Sequence, residues 1–487
     1  MNRMPRALAI LALTLLAGVS LLAARAQAKM YFYNCVLSGK QETPANATTG
    51  TGGGYFVIDT DANQVNFWVS FAGLSSAETG AHIHGFAGSG TPAAVLFTLP
   101  AGNPKVGTWN YNEADEASIL GGLCYMNIHT TNNPGGEIRG QIVPLNAILD
   151  GAQETPATAS AGTGWMTATI DTVANTISYY MAYSGLTGAV TAAHFHGNVN
   201  YTQGPAAVKV PLVVTASPMT GTVGYSQADE GAILSGRWYV NLHTVANPGG
   251  EIRGQLSPLV VPMDAVQEGD GVTAFTSSGF ALCAIDTAAN TLGYDIHITQ
   301  LTGAVTGVHV HGYAPLGTDA LVVQALPLSL RNIGTFTFPA ANKSEVMLGH
   351  AYFNAHTAAN PEGEIRGQIS FLPGHDALLG VEGPPRALPR LSAAPNPFGG
   401  RTSLTFTLAH TGPASLDIMS VTGRIVRRVP QMTFSPGPHS YEWDGLDNDG
   451  RAASPGIYFA VVHTVDGTVT TRLARLEIGR GPRDLSM

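Results

Sequence analysis

One pattern occurs three times in this chain of 487 residues: a His-x-His pair, about 45 residues of strand-like sequence, His-Thr, a turn ending in Asn-Pro, and Gly-Glu-Ile-Arg-Gly-Gln. The first copy runs from His82 and His84 to His129 and Glu137–Gln141, the second from His194 and His196 to His243 and Glu251–Gln255, and the third from His309 and His311 to His356 and Glu364–Gln368. Nine of the fifteen histidines therefore sit at repeated positions. His194 follows His82 by 112 residues and His309 follows His194 by 115, which is the length of whole domains and too long for solenoid repeats. The reading is three similar domains in tandem.

Arg3 and Arg6, an apolar run from Ala7 to Ala24, and Ala26-Gln27-Ala28 form the pattern of a signal peptide with its cleavage site. The expected divisions are a signal peptide at 1–28, repeat domains at 29–145, 146–260 and 261–373, a linker at 374–390 and a C-terminal module at 391–480. No later segment has the apolar length of a membrane-spanning helix. The expected location is secreted, whether extracellular, periplasmic or at the cell surface.

Only 12% of residues are charged and the formal net charge is −9, which argues against nucleic acid as a partner. Three cysteines, Cys35, Cys124 and Cys283, have no metal-motif spacing. Cys35 and Cys124 fall in the first repeat, where one bridge between them is open; Cys283 has no partner in its own repeat.

Each repeat reads as antiparallel strands. Turn clusters at Asp59–Asn63, Asp171–Asn175 and Asp286–Asn290 precede strict alternation, as in Val65, Phe67, Val69 and Phe71, or Ile177, Tyr179, Met181 and Tyr183. One face of each such strand is expected to be buried. Helical turns are expected only near Glu113–Leu120 and Gln227–Leu234. The fold class that follows is all-β, as tandem antiparallel β-sandwiches.

In a strand, residues i and i+2 share a face, so His82 and His84 point the same way, and His129 shares its face with Asn127. If the two strands are neighbours, three imidazoles converge, and the turn sets Glu137 across from His129 with Arg139 continuing on that face. Neutral imidazoles suit copper or zinc, and a carboxylate behind them would accept the other ring N–H. The candidate metal ligands are thus His82, His84 and His129; His194, His196 and His243; and His309, His311 and His356. Glu137 and Arg139, Glu251 and Arg253, and Glu364 and Arg366 are the supporting or structural residues. The same groups fit a second reading, a hydrogen-bonded polar cluster that stitches two strands together.

Gln-Glu-Thr-Pro at 41–44 and 153–156, the His-x-His strands and the HT-x-x-NP-x-GEIRGQ blocks together resemble the CHRD domain, named for chordin and widespread in exported bacterial proteins. The resemblance covers about residues 30–373 and implies an extracellular protein. Its third copy departs from the pattern, with Gln267-Glu268-Gly269-Asp270 in place of QETP, so its opening strand is expected to differ. A fainter similarity is to copper–zinc superoxide dismutase, whose copper site uses a His-x-His strand and a later histidine. No histidine lies between His84 and His129 or between His196 and His243, so dismutase activity is not implied.

Beyond Phe371, Pro373-Gly374, Gly383-Pro384-Pro385 and Pro389 mark the linker, and Pro395-Asn396-Pro397-Phe398 opens a further unit. Thr402–Leu408, Ala414–Ser420, His439–Trp443, Gly456–His463 and Thr468–Ile478 read as strands of a small sandwich. The Asp444–Gly450 loop lacks the closing glutamate of an EF-hand and reads as a plain turn. PNPF, Val421-Thr422-Gly423-Arg424, Trp443-Asp444-Gly445 and Gly456-Ile457-Tyr458 resemble the immunoglobulin-like module of flagellar hook-capping proteins and of type IX secretion sorting domains, which implies attachment or sorting at a cell surface. No acid–base pair or nucleophile stands out. The function expected is a non-catalytic secreted or surface binding protein whose partner is an unknown extracellular protein or surface ligand. The alternative is a copper or zinc protein with one site per repeat, with or without redox activity.

Overall fold

Alternation along the chain sets the layers of each repeat. In the computed structural model, which describes residues 30–268 and 277–369 and, apart from short breaks, 391–476, the first repeat forms eight strands. These are β1 (Met30–Ser38), β2 (Thr51–Asp59), β3 (Gln64–Ala72), β4 (Glu78–Gly85), β5 (Val95–Thr98), β6 (Lys105–Asn110), β7 (Cys124–Thr130) and β8 (Ile138–Ile142), with one short helix, α1 (Glu116–Leu120), before β7. Their order is β5-β4-β7-β8-β1-β2-β3-β6, and the second and third repeats repeat it strand for strand. Phe56, Ile58, Val65, Phe67 and Val69 from one half of the sheet meet Ala81, Ile83, Met126, Ile128 and Ile138 from the other in one core. Two halves whose apolar faces meet across a core make a β-sandwich.

The signal peptide expected at 1–28 and the linker expected at 374–390 lie outside the described residues, as do Gly269 and Asp270. The segment leading into the third repeat, Leu259–Asp264, pairs with Ser278–Asp286 as its counterparts do, and a 3-10 turn at Ala265–Gln267 follows as in the other two. Cys35, Cys124 and Cys283 are buried free thiols, so no bridge joins Cys35 to Cys124.

The expectation of a single buried face holds for the first half of β3 but not for the second, where Trp68 and Ser70 are buried along with Val69 and Phe71. The reason is that the outer sheet faces pack domain against domain. Trp68 Nε1 donates to Asp264 Oδ2 at 2.8 Å, joining the first domain to the third. Arg331 reaches Asp150 at 2.6 Å, joining the third to the second. Ser89 and Thr167 hydroxyls meet at 2.8 Å, joining the first to the second. The three domains thus close a ring. At its centre Val36, Tyr201, Val260, Phe280, Leu282 and Ala284 form a cluster of their own. Asn146 Nδ2 donates to the carbonyl and side-chain oxygens of Asn34 at 3.0 and 2.8 Å, while Asn34 Nδ2 donates to the Pro144 and Pro258 carbonyls at 3.1 Å each.

The C-terminal unit has its own core, which includes Phe398, Leu404, Phe406, Leu416, Ile418, Trp443 and Val462. It lies between a three-stranded sheet and a four-stranded sheet. Ile425–Phe434 adds a strand that the sequence reading did not include. In the aspartate-rich loop, Asp444 Oδ1 accepts from the Leu446 N–H and Asp447 Oδ1 from the Arg451 N–H, at 3.0 and 2.8 Å, as turn-forming carboxylates do. Val421–Arg424, a motif of the sequence comparison, falls outside the described residues.

Candidate metal centre

β4 and β7 are neighbours, with His82 opposite Asn127 and His84 opposite Tyr125. Ile83 turns into the core, so both histidines of the pair stand on the outer face, where His129 also emerges from β7. One nitrogen from each of His82, His84 and His129 lies within 4.8 Å of the other two, and the same holds for His194, His196 and His243 and for His309, His311 and His356.

Backbone carbonyls decide which nitrogen two of the three rings in each domain offer. His84 Nδ1 bonds the Ala93 carbonyl at 2.9 Å and His129 Nδ1 the Pro134 carbonyl at 3.0 Å. A carbonyl only accepts, so each Nδ1 carries the proton and each Nε2 holds a lone pair turned inward. Ala206 and Pro248 do the same for His196 and His243, and Ala320 and Pro361 for His311 and His356. His82 completes the trio with Nδ1; among the described residues His82 Nδ1, His84 Nε2 and His129 Nε2 are buried atoms with no hydrogen-bond partner. In the other two domains the first histidine leans on the third: His194 Nδ1 lies 3.0 Å from His243 Nε2, and His309 Nδ1 lies 3.0 Å from His356 Nε2.

These donor sets fit an ion with modest adjustment. Metal–imidazole bonds of about 2.0–2.1 Å at tetrahedral angles put two ligand nitrogens about 3.4 Å apart. The clusters hold their nitrogens within 4.8 Å of one another, and His194 Nδ1 and His243 Nε2 already lie 3.0 Å apart, so reaching that spacing calls for shifts of up to about 0.8 Å per ring. Burial, together with the neighbouring histidines, lowers the pKa values of His82, His194 and His309, and burial leads the causes for His84, His196 and His311 as well. Neutral imidazoles are the ligating form.

The carboxylates stand elsewhere than the alternation suggests. Glu137 accepts from Thr130, Thr48 and Ser75 hydroxyls at 2.6, 2.5 and 2.7 Å and from the Ser75 N–H at 2.6 Å, and bonds no imidazole. Four such donors hold its pKa at about 2 despite the cost of burial. Glu251 and Glu364 have equivalent partners and are likewise lowered to about 2. Glu137 precedes β8, and Gly136 with φ of 130° breaks the period-2 pattern that would have kept the carboxylate on the histidine face. The role expected of it, accepting the other ring N–H, is taken by main-chain carbonyls.

Arg139 does face the site, through an intermediary. Its guanidinium lies 3.4 Å from the Tyr125 ring centre, and the opposite face of that ring stacks on His84 at 4.9 Å with 4° between planes. Arg253, Tyr239 and His196 repeat this column, as do Arg366, Tyr352 and His311. The tyrosine also fixes the carbonyl loop, since its hydroxyl accepts from the Ala93 N–H at 3.0 Å. Sequence reasoning missed these tyrosines, although Tyr125, Asn127 and His129 share one strand face. It also missed Glu42 and Glu154 of the QETP motifs, whose pKa values burial raises to about 7 next to Arg139 and Arg253.

Comparison with known proteins assigns the repeats. The CHRD domain family matches residues 33–142, 145–256 and 259–369, and the FlgD Ig-like domain family matches residues 392–468. No match to a curated protein is found. Among solved structures, dimeric latent PorU from Porphyromonas gingivalis is aligned over 92% of this chain at 9% identity with a TM-score of 0.18; the chain spans 34% of that protein. PorZ, described as an essential bacterial surface component of the type IX secretion system of the same organism, is aligned over 87% of this chain and 69% of its own length, at 11% identity and a TM-score of 0.15. Neither score indicates a shared overall fold. With three matched domains covering most of its length, the chain belongs to the CHRD domain family and carries a FlgD Ig-like domain at its C-terminal end.

Proposed function

We propose that this chain is an exported, surface-associated protein that binds copper or zinc, one ion in each CHRD domain, and that it acts by binding rather than by catalysis. The observation that carries this reading is the orientation of the ring nitrogens: in all three domains main-chain carbonyls hold the Nδ1 protons of two histidines and turn both Nε2 lone pairs toward the third ring. A purely structural polar cluster would satisfy its buried nitrogens, and an unpaired buried polar group costs about 1–3 kcal/mol. Here such atoms recur in every domain, including His84 Nε2, His196 Nε2 and His311 Nε2. Export is supported by the leader-like start of the sequence, and a surface role by the C-terminal module. No helix among the described residues is long and apolar enough to cross a membrane.

Titration of the purified full-length chain with Zn(II) or Cu(II), followed by calorimetry and by metal analysis after dialysis, tests the reading. Three equivalents are expected, and one fewer for His129→Ala. Metal uptake that persists after all three His-x-His pairs are replaced would move the ion elsewhere and return the trios to a structural role.

A further inference from the structure

The loop that supplies the orienting carbonyl in each domain is held from two sides. Between β4 and β5, the Ala93 carbonyl accepts from His84, the Thr91 carbonyl from Arg139 at 2.9 Å, and the Ala87 carbonyl from Gln141 at 2.8 Å. These bonds come from within the first domain. From outside, the loop lies against the second domain. Ser89 bonds Thr167, and Tyr180 packs so closely on Gly90 that a Cβ there would stand 2.6 Å from the tyrosine oxygen.

The second domain repeats the arrangement toward the third. The Ala206 carbonyl accepts from His196, while Asn200 in the same loop donates to Thr291 Oγ1 at 3.4 Å and the Tyr201 carbonyl accepts from Thr335 at 3.0 Å. The third domain repeats it toward the first. The Ala320 carbonyl accepts from His311, and Leu316 of that loop packs on the cluster of Tyr55, Val57 and Trp68. The order is cyclic, first on second, second on third, third on first. In every domain the loop that orients the second histidine of the pair also touches a neighbouring domain.

We propose, resting on the metal reading, that each metal site is completed by the next domain around the ring. Tyr180 and Thr167 act as positioning residues for the site of the first domain, Thr291 and Thr335 for that of the second, and the Tyr55–Trp68 cluster for that of the third. Affinity is then a property of the closed ring: loosening one interface weakens one site, and metal bound at that site stiffens the same interface.

The test uses the full-length chain, Zn(II) as probe, and two substitutions at different interfaces. Tyr180→Ala should weaken one of three equivalents by about 10–100-fold and leave two unchanged, and Leu316→Ala should weaken a different one, so that the double variant keeps a single site at full affinity. Tyr180→Phe retains the ring and should restore the first site. Hydrogen exchange of the metal-free protein supplies a separate readout, with residues 86–94 expected to exchange faster in Tyr180→Ala. Three unaltered equivalents in Tyr180→Ala would overturn the proposal while leaving the metal reading intact. If the unsubstituted chain takes up no zinc, the metal reading fails, and unchanged exchange in 86–94 would then also overturn the role given to Tyr180.

Discussion

His194 Nδ1 and His243 Nε2 face each other at 3.0 Å across two neighbouring strands. Because Pro248 holds the Nδ1 proton of His243, the proton between the two rings belongs to His194. An ion held by His194 Nδ1 would take the place of that proton, which would leave to solvent while Nε2 of His194 takes one up, so the first histidine of the pair would be the one that changes tautomer. Nitrogen-15 NMR of the histidine rings should therefore show His194 and His309 as Nδ1–H without metal and as Nε2–H with Zn(II), while His196 and His311 stay Nδ1–H throughout. Unchanged tautomers at full zinc occupancy would contradict this.

Glu137 bonds hydroxyls and a main-chain N–H and no imidazole, so its substitution should separate folding from metal binding. Glu137→Gln leaves three hydroxyls, one main-chain N–H and the Asn133 amide facing a neutral amide and should lower unfolding free energy by about 1–3 kcal/mol in denaturant titration. Zinc stoichiometry should stay at three. Loss of the first site without loss of stability would restore Glu137 to a metal-supporting role.

Acid stability follows from the same three glutamates. Their folded pKa values, about 2, lie below the ordinary value of 4.5, so their contribution is present above about pH 4.5 and is lost as pH falls toward 2. Glu42 and Glu154 act in the opposite sense: raised to about 7, they contribute below pH 4.5 and lose that contribution as pH rises through 7. Melting temperatures measured from pH 2 to 8 should climb on the acid side and slope down toward neutrality, and Glu42→Gln with Glu154→Gln should flatten the second slope. A slope unchanged in that double variant would remove the buried glutamates as its cause.

Two features of Gly136 disfavour a side chain there. Its φ is 130°, and a Cβ would lie 2.5 Å from Glu42 Oε1 and 2.7 Å from Asn127 Nδ2. Gly136→Ala should cost about 2 kcal/mol or more, read from chemical denaturation, through strain and overpacking together. A loss under half of that would mean the turn relaxes freely.

The parts of this protein legible in its sequence are those governed by the two-residue strand period. Val65, Phe67, Val69 and Phe71 alternate and are all buried in one core, and His82 and His84 share a face because Ile83 belongs to that core. The period stops where regular pairing stops. Glu137 sits one residue before β8, so its side was misread, whereas Arg139, inside the strand, lies on the expected face. The docking of Trp68 on Asp264 was not legible at all, because nothing in a strand's own pattern says that its outer face meets another domain. The tyrosine columns were legible in principle, since Tyr125 stands four residues before His129 on one strand.

X-ray absorption of the chain loaded with three equivalents of zinc or copper tests the central claim most directly, because it counts ligands around the ion itself. The account predicts three imidazole nitrogens at about 2.0–2.1 Å with no thiolate, since Cys35, Cys124 and Cys283 are buried away as free thiols, and a drop in bound metal by one equivalent in His84→Ala. A first shell of oxygen alone, or a spectrum and stoichiometry untouched by His84→Ala, would contradict it.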